Sequence, residues 1–151
     1  MAKTLTPRTQ TRRHAEQLSE PQRIRMQAAE LVRQDKLAQA EQLTARALAQ
    51  YPDSQDVLAI RALILEVLQD WTAARQTLHR LLKVQGDTAP ADTWCHWVRV
   101  LRCEGMARQA MEAASDGLVH HPQHPALSAE LQALQWDSAH AAQGVSTSLQ
   151  P

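Results

Sequence analysis

The sequence has no phenylalanine, only four glycines and a single tyrosine among its 151 residues. Sheets favour aromatic and β-branched residues and tight hairpins need glycine, so this scarcity disfavours a β-rich fold. Alanine, leucine, glutamine, arginine and glutamate are abundant instead, and all of them favour helix. The length indicates one domain.

Net charge is also absent, because 16 Lys and Arg balance 16 Asp and Glu, which argues against a general binder of polyanions. The basic residues are uneven: Lys3, Arg8, Arg12 and Arg13 lie at the start, and none follows Arg108. No apolar run reaches the length of a membrane span, and the opening residues lack the hydrophobic segment of a secretory signal. We therefore expect a cytoplasmic protein without membrane association.

Cysteine is limited to Cys95 and Cys103. Both fall in one predicted helix, about 12 Å apart by helical rise, whereas a disulfide needs Cα atoms within about 7 Å. They cannot pair with each other, and we expect reduced, buried thiols.

Apolar residues at helical spacing predict three helix pairs, over residues 21–54, 55–88 and 91–124, followed by a last helix over 125–139. Ser19 and Gln22 form a predicted capping box before the first helix, and Gly86 suits a left-handed helix end. Residues 19–140 are thus predicted to form the folded domain. Residues 1–18 are predicted to be a flexible basic arm and 141–151 a disordered tail.

The helix pairs repeat at a fixed interval. Ala40 and Ala74 lie 34 positions apart, and Ala110 follows 36 positions later, after a two-residue insertion at Ala89 and Pro90. A period of about 34 residues is typical of helical repeats that stack into a solenoid.

These positions resemble the tetratricopeptide repeat (TPR) family. The resemblance covers residues 21–124 and implies an all-α, right-handed solenoid of three TPR pairs with a C-terminal capping helix. The positions that match the family pattern are Ala28, Ala40, Ala47, Pro52, Ala62, Trp71, Ala74, Trp94, Ala110, Gly117 and Pro122. Leu81 and Val98 depart from it beside the insertion, so we expect a locally altered superhelix between the second and third pairs.

In this family the first helix of each pair lines a concave groove that binds other proteins. The residues predicted for a partner-binding groove are Arg25, Ala29, Val32, Arg33, Ala59, Leu63, Glu66, Val67, Cys95, Arg99 and Arg102. Apolar Leu63 and Val67 would lie at the centre, and the arginines would bind acidic residues of a partner. In the alternative interpretation these arginines are solvated or pair with Asp56, Glu66 and Asp92.

The resemblance also argues against one class of ligand. The family's clamp for heat-shock chaperone tails needs a particular set of Lys, Asn and Arg residues. In this sequence most of the matching places hold Ala29, Ile60, Asp92 and His96.

Other constellations give weak signals. His120, His121 and His124 cluster at a helix end, but they flank a proline without further ligands at zinc spacing. Cys95 and His96 are adjacent in a helix and point about 100° apart, which does not suit a nucleophile and its base. No glycine-rich phosphate loop occurs. We expect no enzyme activity, no metal and no cofactor.

The sequence therefore predicts a non-enzymatic adaptor that binds a peptide or helix segment of another protein in its groove. One alternative is a chaperone of the bacterial type III secretion kind, for a translocator or needle subunit. A second is nucleic-acid binding through the basic arm. Self-association through Trp136, giving a homodimer, also stays open.

Overall fold

A computed structural model describes residues 18–146, and its backbone there is helical, without strands. A 3₁₀ turn, Gly86–Thr88, separates the fourth and fifth helices. The helices are α1 (Glu20–Arg33), α2 (Leu37–Gln50), α3 (Gln55–Val67), α4 (Trp71–Gln85), α5 (Ala91–Cys103), α6 (Ala107–His120) and α7 (Pro125–Ser146). Each helix packs against the next, and α1 also contacts α3 while α5 contacts α7. This arrangement confirms the predicted all-α solenoid of three helical pairs with an additional last helix.

The same turn joins the two helices of every pair. Asp35, Gln69 and Gly105 adopt positive φ angles of 58°, 57° and 80°, and they recur at the repeat interval. The next residue then bonds back across six residues, as in a Schellman motif. These bonds run from Lys36 N to Leu31 O at 2.8 Å, from Asp70 N to Leu65 O at 2.9 Å and from Met106 N to Leu101 O at 2.9 Å. The repeat is therefore present in backbone geometry as well as in sequence.

Helix ends are capped where the sequence indicates. Ser19 and Gln22 form the predicted capping box at the start of α1. The side chains of Ser54 and Asp70 accept backbone N–H groups at the starts of α3 and α4. Gly86 ends α4 with a φ of 55°, a conformation that residues with a Cβ rarely adopt.

Small residues lie where helices cross. Ala40, Ala74 and Ala110 are fully buried, and Ala28 is fully buried on α1. At Gly117 a Cβ would meet Leu127 Cδ1 at 3.0 Å, so α6 has almost no free space on that side. Close crossings of this kind let each pair nest on the next.

The second and third pairs meet differently from the first and second. The Gly86–Thr88 turn and the insertion at Ala89 and Pro90 lie between α4 and α5 in the chain, and α3 makes few close backbone contacts with α5, whereas α1 contacts α3. Leu81 and Val98, which depart from the small-residue pattern, are both buried, Leu81 in a cluster with Val100 of α5 and Val98 in the core formed by α5, α6 and α7. The locally altered superhelix expected from these departures stays a prediction.

The last helix is longer than predicted. It was expected to end at residue 139, with a disordered tail from 141, yet α7 continues to Ser146. Alanine favours helix, and a glycine such as Gly144 costs only about 1 kcal/mol inside one. The ring of His140 also stacks on Trp136 at 4.0 Å, and its Nδ1 donates to the Trp136 carbonyl at 2.8 Å. The predicted arm lies, apart from Leu18, outside the described residues. Among residues 18–146, none of the helices has the length and apolarity of a membrane span.

Candidate protein-binding groove

The first helices of the three pairs, α1, α3 and α5, lie side by side and form one wall of the solenoid. A cavity of about 380 Å³ opens on this wall between α3 and α5, above α4, and we call it the α3–α5 cavity. Of the predicted groove residues, Arg25, Ala59 and Leu63 line it. The other lining residues are Gln55, Asp56, Ala62, Leu78, Leu81, Gln85, Pro90, Asp92, Thr93 and His96.

An apolar strip borders the cavity on α3. Leu63 is 42% exposed and Val67, one turn further along, is 56% exposed. Large apolar side chains with this exposure are candidates for contact with another molecule when they adjoin a concavity. The cavity floor continues the apolar surface through the buried Leu78 and Leu81 of α4.

Every predicted groove arginine is paired within the chain. Two of them meet carboxylates that the alternative interpretation named: Arg25 with Asp56 at 2.9 Å and Arg99 with Glu66 at 2.8 Å. The other two use carboxylates that it did not name, and these pairs are Arg33 with Glu30 and Arg102 with Glu130, the latter at 3.4 Å. Each of these four arginines therefore has a carboxylate partner, and none of them is an unpaired cation on the wall.

Glu66 connects α3 to α5. Its side chain is only 8% exposed, and its two oxygens meet His96 Nδ1 at 2.8 Å and Arg99 Nε at 2.9 Å. A buried carboxylate needs such partners to offset its desolvation. Glu66 thus connects the second and third pairs, and most of its surface is covered.

The last helix extends the same wall. Arg102 follows Glu66 by 36 positions, and Glu130 follows His96 by 34, so the Arg102–Glu130 pair occupies the register of the Glu66–His96 pair with the carboxylate on the later helix. Trp136, which is 66% exposed, falls one repeat after Arg102. The sequence predicted α7 only as a capping helix. The repeat interval, however, already places Glu130 opposite Arg102.

Ala29 and Val32 pack towards the neighbouring helix pair. Both are half-buried against a cluster that contains Ile60 and Ile64 of α3. Ile60, which occupies one of the places that the family's chaperone-tail clamp needs, is itself buried. The α1–α3 junction is therefore filled by apolar side chains, in contrast to the open α3–α5 junction.

The two cysteines have different surroundings. Burial raises the pKa of the Cys95 thiol, Asp92 and Glu130 raise this pKa further, and Arg99 partly opposes them. Its Sγ lies 4.0 Å from His124 Nδ1. A raised pKa disfavours the thiolate that a nucleophile requires. Cys103 is exposed, so the prediction that it is buried was wrong: it is the last residue of α5 and lies at the surface.

The three clustered histidines have separate neighbours. His120 stacks on Trp94 with ring centroids 5.6 Å apart, His121 Nε2 donates to Ala89 O at 2.9 Å, and His124 lies beside Cys95. Among residues 18–146 no three His, Cys, Asp or Glu side chains are grouped closely enough to hold a metal ion. These histidines instead connect the end of α6 to the start of α5.

Solved structures with the same arrangement are TPR domains. The TPR domain of Sgt2 from Aspergillus fumigatus matches with a TM-score of 0.73 at 15% identity, over 85% of each chain. The first TPR domain of Spaghetti (RPAP3), bound to the HSP90 peptide SRMEEVD, matches with 0.71 at 12% identity, over 80% of this chain and 94% of that one. The second TPR domain of human RPAP3, in complex with the HSP70 peptide SGPTIEEVD, matches with 0.66 at 14% identity, over 74% and 92%.

These likenesses show that the chain has the tetratricopeptide repeat fold, as the spaced alanines predicted. No protein-family model and no curated protein sequence matches it. At these identities the structural likeness concerns the fold alone.

Proposed function

We propose that this protein is a non-enzymatic adaptor that holds an extended or helical segment of another protein against the wall formed by α1, α3 and α5. The observation that carries the proposal is the α3–α5 cavity, which adjoins exposed Leu63 and Val67. Ligand sites are concave, largely apolar surfaces with a few placed polar groups. The cavity has this composition, with an apolar floor and polar residues at its rim.

Affinity would come mainly from burial of apolar surface. Each fully covered Leu or Val side chain contributes roughly 1.5–3 kcal/mol before the costs of association. Leu63 and Val67 lie one turn apart, so a ligand that covers both needs two apolar residues at matching spacing. The contributions of the other predicted groove residues, including Cys95, stay predictions.

The predicted charge selection by arginines has a structural cost. An acidic ligand must replace Asp56 beside Arg25, or Glu66 beside Arg99, and leave that carboxylate without its partner. This cost is largest at Glu66, whose side chain is only 8% exposed, and smaller at the more exposed pair of Arg25 and Asp56. Selection of acidic segments through these arginines therefore stays a prediction, and the ion pairs weaken it.

The peptides in the RPAP3 complexes provide a useful contrast. They end in the acidic sequence EEVD. This chain carries Ala29 and His96 at places where the chaperone-tail clamp needs other residues, and Asp92 adds a negative charge near the cavity. We therefore propose that the groove takes a different class of segment.

The groove can be tested with the full chain and a displayed library of random peptides. Peptides enriched on the wild type should bind Leu63→Asp at least tenfold more weakly, because the carboxylate would be placed in the apolar contact. Val119→Asp is the matched control, since Val119 is 75% exposed on α6 and does not line the cavity. Peptides that bind both variants equally, or a library without enrichment, would contradict the groove proposal. SGPTIEEVD should give no saturable binding to the wild type.

A further inference from the structure

The α3–α5 cavity has a net negative formal charge and one buried hydrogen-bond acceptor without a partner among the described residues. Its formally charged lining residues are Arg25, Asp56 and Asp92. Arg25 and Asp56 neutralise each other at 2.9 Å, while Asp92 is exposed and forms no ion pair within residues 18–146. The remaining charge at the rim is therefore one carboxylate.

A buried acceptor adds to this preference. Gln85 lines the cavity, and its Oε1 is buried without a hydrogen-bond partner among the described residues. An unpaired buried acceptor is unfavourable, so the amide gains when it turns towards an incoming N–H group. Around it the floor is apolar, formed by Leu78, Leu81 and Ala62.

The helix ends at the rim do not reverse this preference. α3 and α5 both begin at the cavity, and the N-terminal end of a helix favours anions. Asp56 and Asp92 already occupy these first turns and complement the two helix dipoles. An additional carboxylate from a ligand would meet Asp92 at close range.

We propose that the α3–α5 cavity accepts a lysine or arginine side chain of the bound segment. This inference rests on the proposed groove function and specifies its ligand. The aliphatic part of the side chain would lie along Leu63, Leu78 and Leu81, as long basic residues do on apolar surfaces. Its N–H groups would donate to the Asp92 carboxylate and, after rotation of the amide, to Gln85 Oε1. The selectivity is opposite to that predicted from the arginines in the sequence.

Three capped tripeptides test the charge preference directly. They are acetyl-Leu-Arg-Leu-amide, acetyl-Leu-Gln-Leu-amide and acetyl-Leu-Glu-Leu-amide, titrated to millimolar concentration into the isotope-labelled full chain and followed by amide chemical shifts. The Arg peptide should shift the amides of Ala59, Thr93 and His96, with an affinity at least fivefold above that of the Gln peptide. The Glu peptide should bind most weakly.

Two substitutions of equal charge change provide the control. Asp92→Asn should lower the affinity for the Arg peptide about fivefold to tenfold, as expected for loss of a charge-assisted hydrogen bond at a partly exposed site. Asp87→Asn should leave it unchanged, because Asp87 is also exposed but does not line the cavity. Asp92→Lys should reverse the order of the Arg and Glu peptides.

The outcomes separate this inference from the groove proposal. Equal binding of the three peptides at Ala59 and His96, or equal effects of Asp92→Asn and Asp87→Asn, would overturn the basic-residue preference and leave the groove intact. Shifts confined to other helices, or no shifts at millimolar peptide, would overturn both.

Discussion

The tight crossing at Gly117 gives a prediction whose size follows from three distances. A Cβ at this position would lie 3.0 Å from Leu127 Cδ1, 3.1 Å from Trp94 Cβ and 3.2 Å from Trp94 Cγ. Carbon atoms pack best at about 3.5–4.0 Å. Leu127 is fully buried, and Trp94 Cβ is attached directly to the backbone of α5, so neither atom can move without a shift of a side chain or a helix.

Two opposing terms set the effect of Gly117→Ala. Alanine is favoured over glycine inside a helix by about 1 kcal/mol, while overpacking a filled site costs about 1–3 kcal/mol. We expect the free energy of unfolding to fall by about 1 kcal/mol, and the melting temperature by about 3 °C in a domain of this size. Gly117→Val should be far more damaging, because it adds two methyl groups to the same contact.

Urea denaturation followed by circular dichroism measures this difference. Gly144→Ala is the matched control, because Gly144 lies in α7 with no neighbouring atom within 4 Å of its added Cβ. It should be neutral or stabilising by up to about 1 kcal/mol. If Gly117→Ala proved as stabilising as Gly144→Ala, the crossing of α5, α6 and α7 would not be tight and the argument from small residues would fail.

Three further predictions concern single contacts. Gln69→Gly should raise the melting temperature, because relief of a left-handed residue with a Cβ is worth about 1 kcal/mol. Gly105→Ala should lower the melting temperature, because it places a Cβ in such a left-handed conformation at a similar cost in free energy. Glu66→Gln should reduce the free energy of unfolding by roughly 2 kcal/mol in urea titrations, since Glu66 is a covered carboxylate that pairs with Arg99 and contacts His96; an unchanged midpoint would mean that it does not hold α3 to α5. Cys103 should react with iodoacetamide at least tenfold faster than Cys95 near neutral pH, because Cys103 is exposed and the pKa of Cys95 is raised; equal rates in mass spectrometry would refute this assignment.

Most of the helical framework was predictable because its signals are local. Capping side chains such as Ser19, turn positions such as Gly86 and apolar periodicity act within a few residues, so they can be read in order along the chain. The end of α7 was misjudged for a related reason. A polar composition after Gly144 resembles a tail, while the helix depends on alanine propensity and on the contact between Trp136 and His140.

The groove was predictable only in part. Arg25, Ala59 and Leu63, which periodicity assigned to the groove, line the α3–α5 cavity, since residues at the same register face the same way in each pair. It did not show that Gln85 of α4 forms part of the lining. It also left the partners of Arg99 and Arg102 undecided, because these ion pairs depend on the distance between side chains of different helices.

The order of small and large side chains was by itself enough to specify hairpins that stack at a 34-residue interval, because nesting at a crossing depends on the volume of one side chain. Only the tertiary structure decided the chemistry of the wall. The cavity formed between α3 and α5 beside the insertion, and pairing across helices neutralised Arg25 and Arg99 while Asp92 stayed free of ion pairs among residues 18–146. Charge on a surface is a property of pairs in space, and the sequence lists residues without their distances.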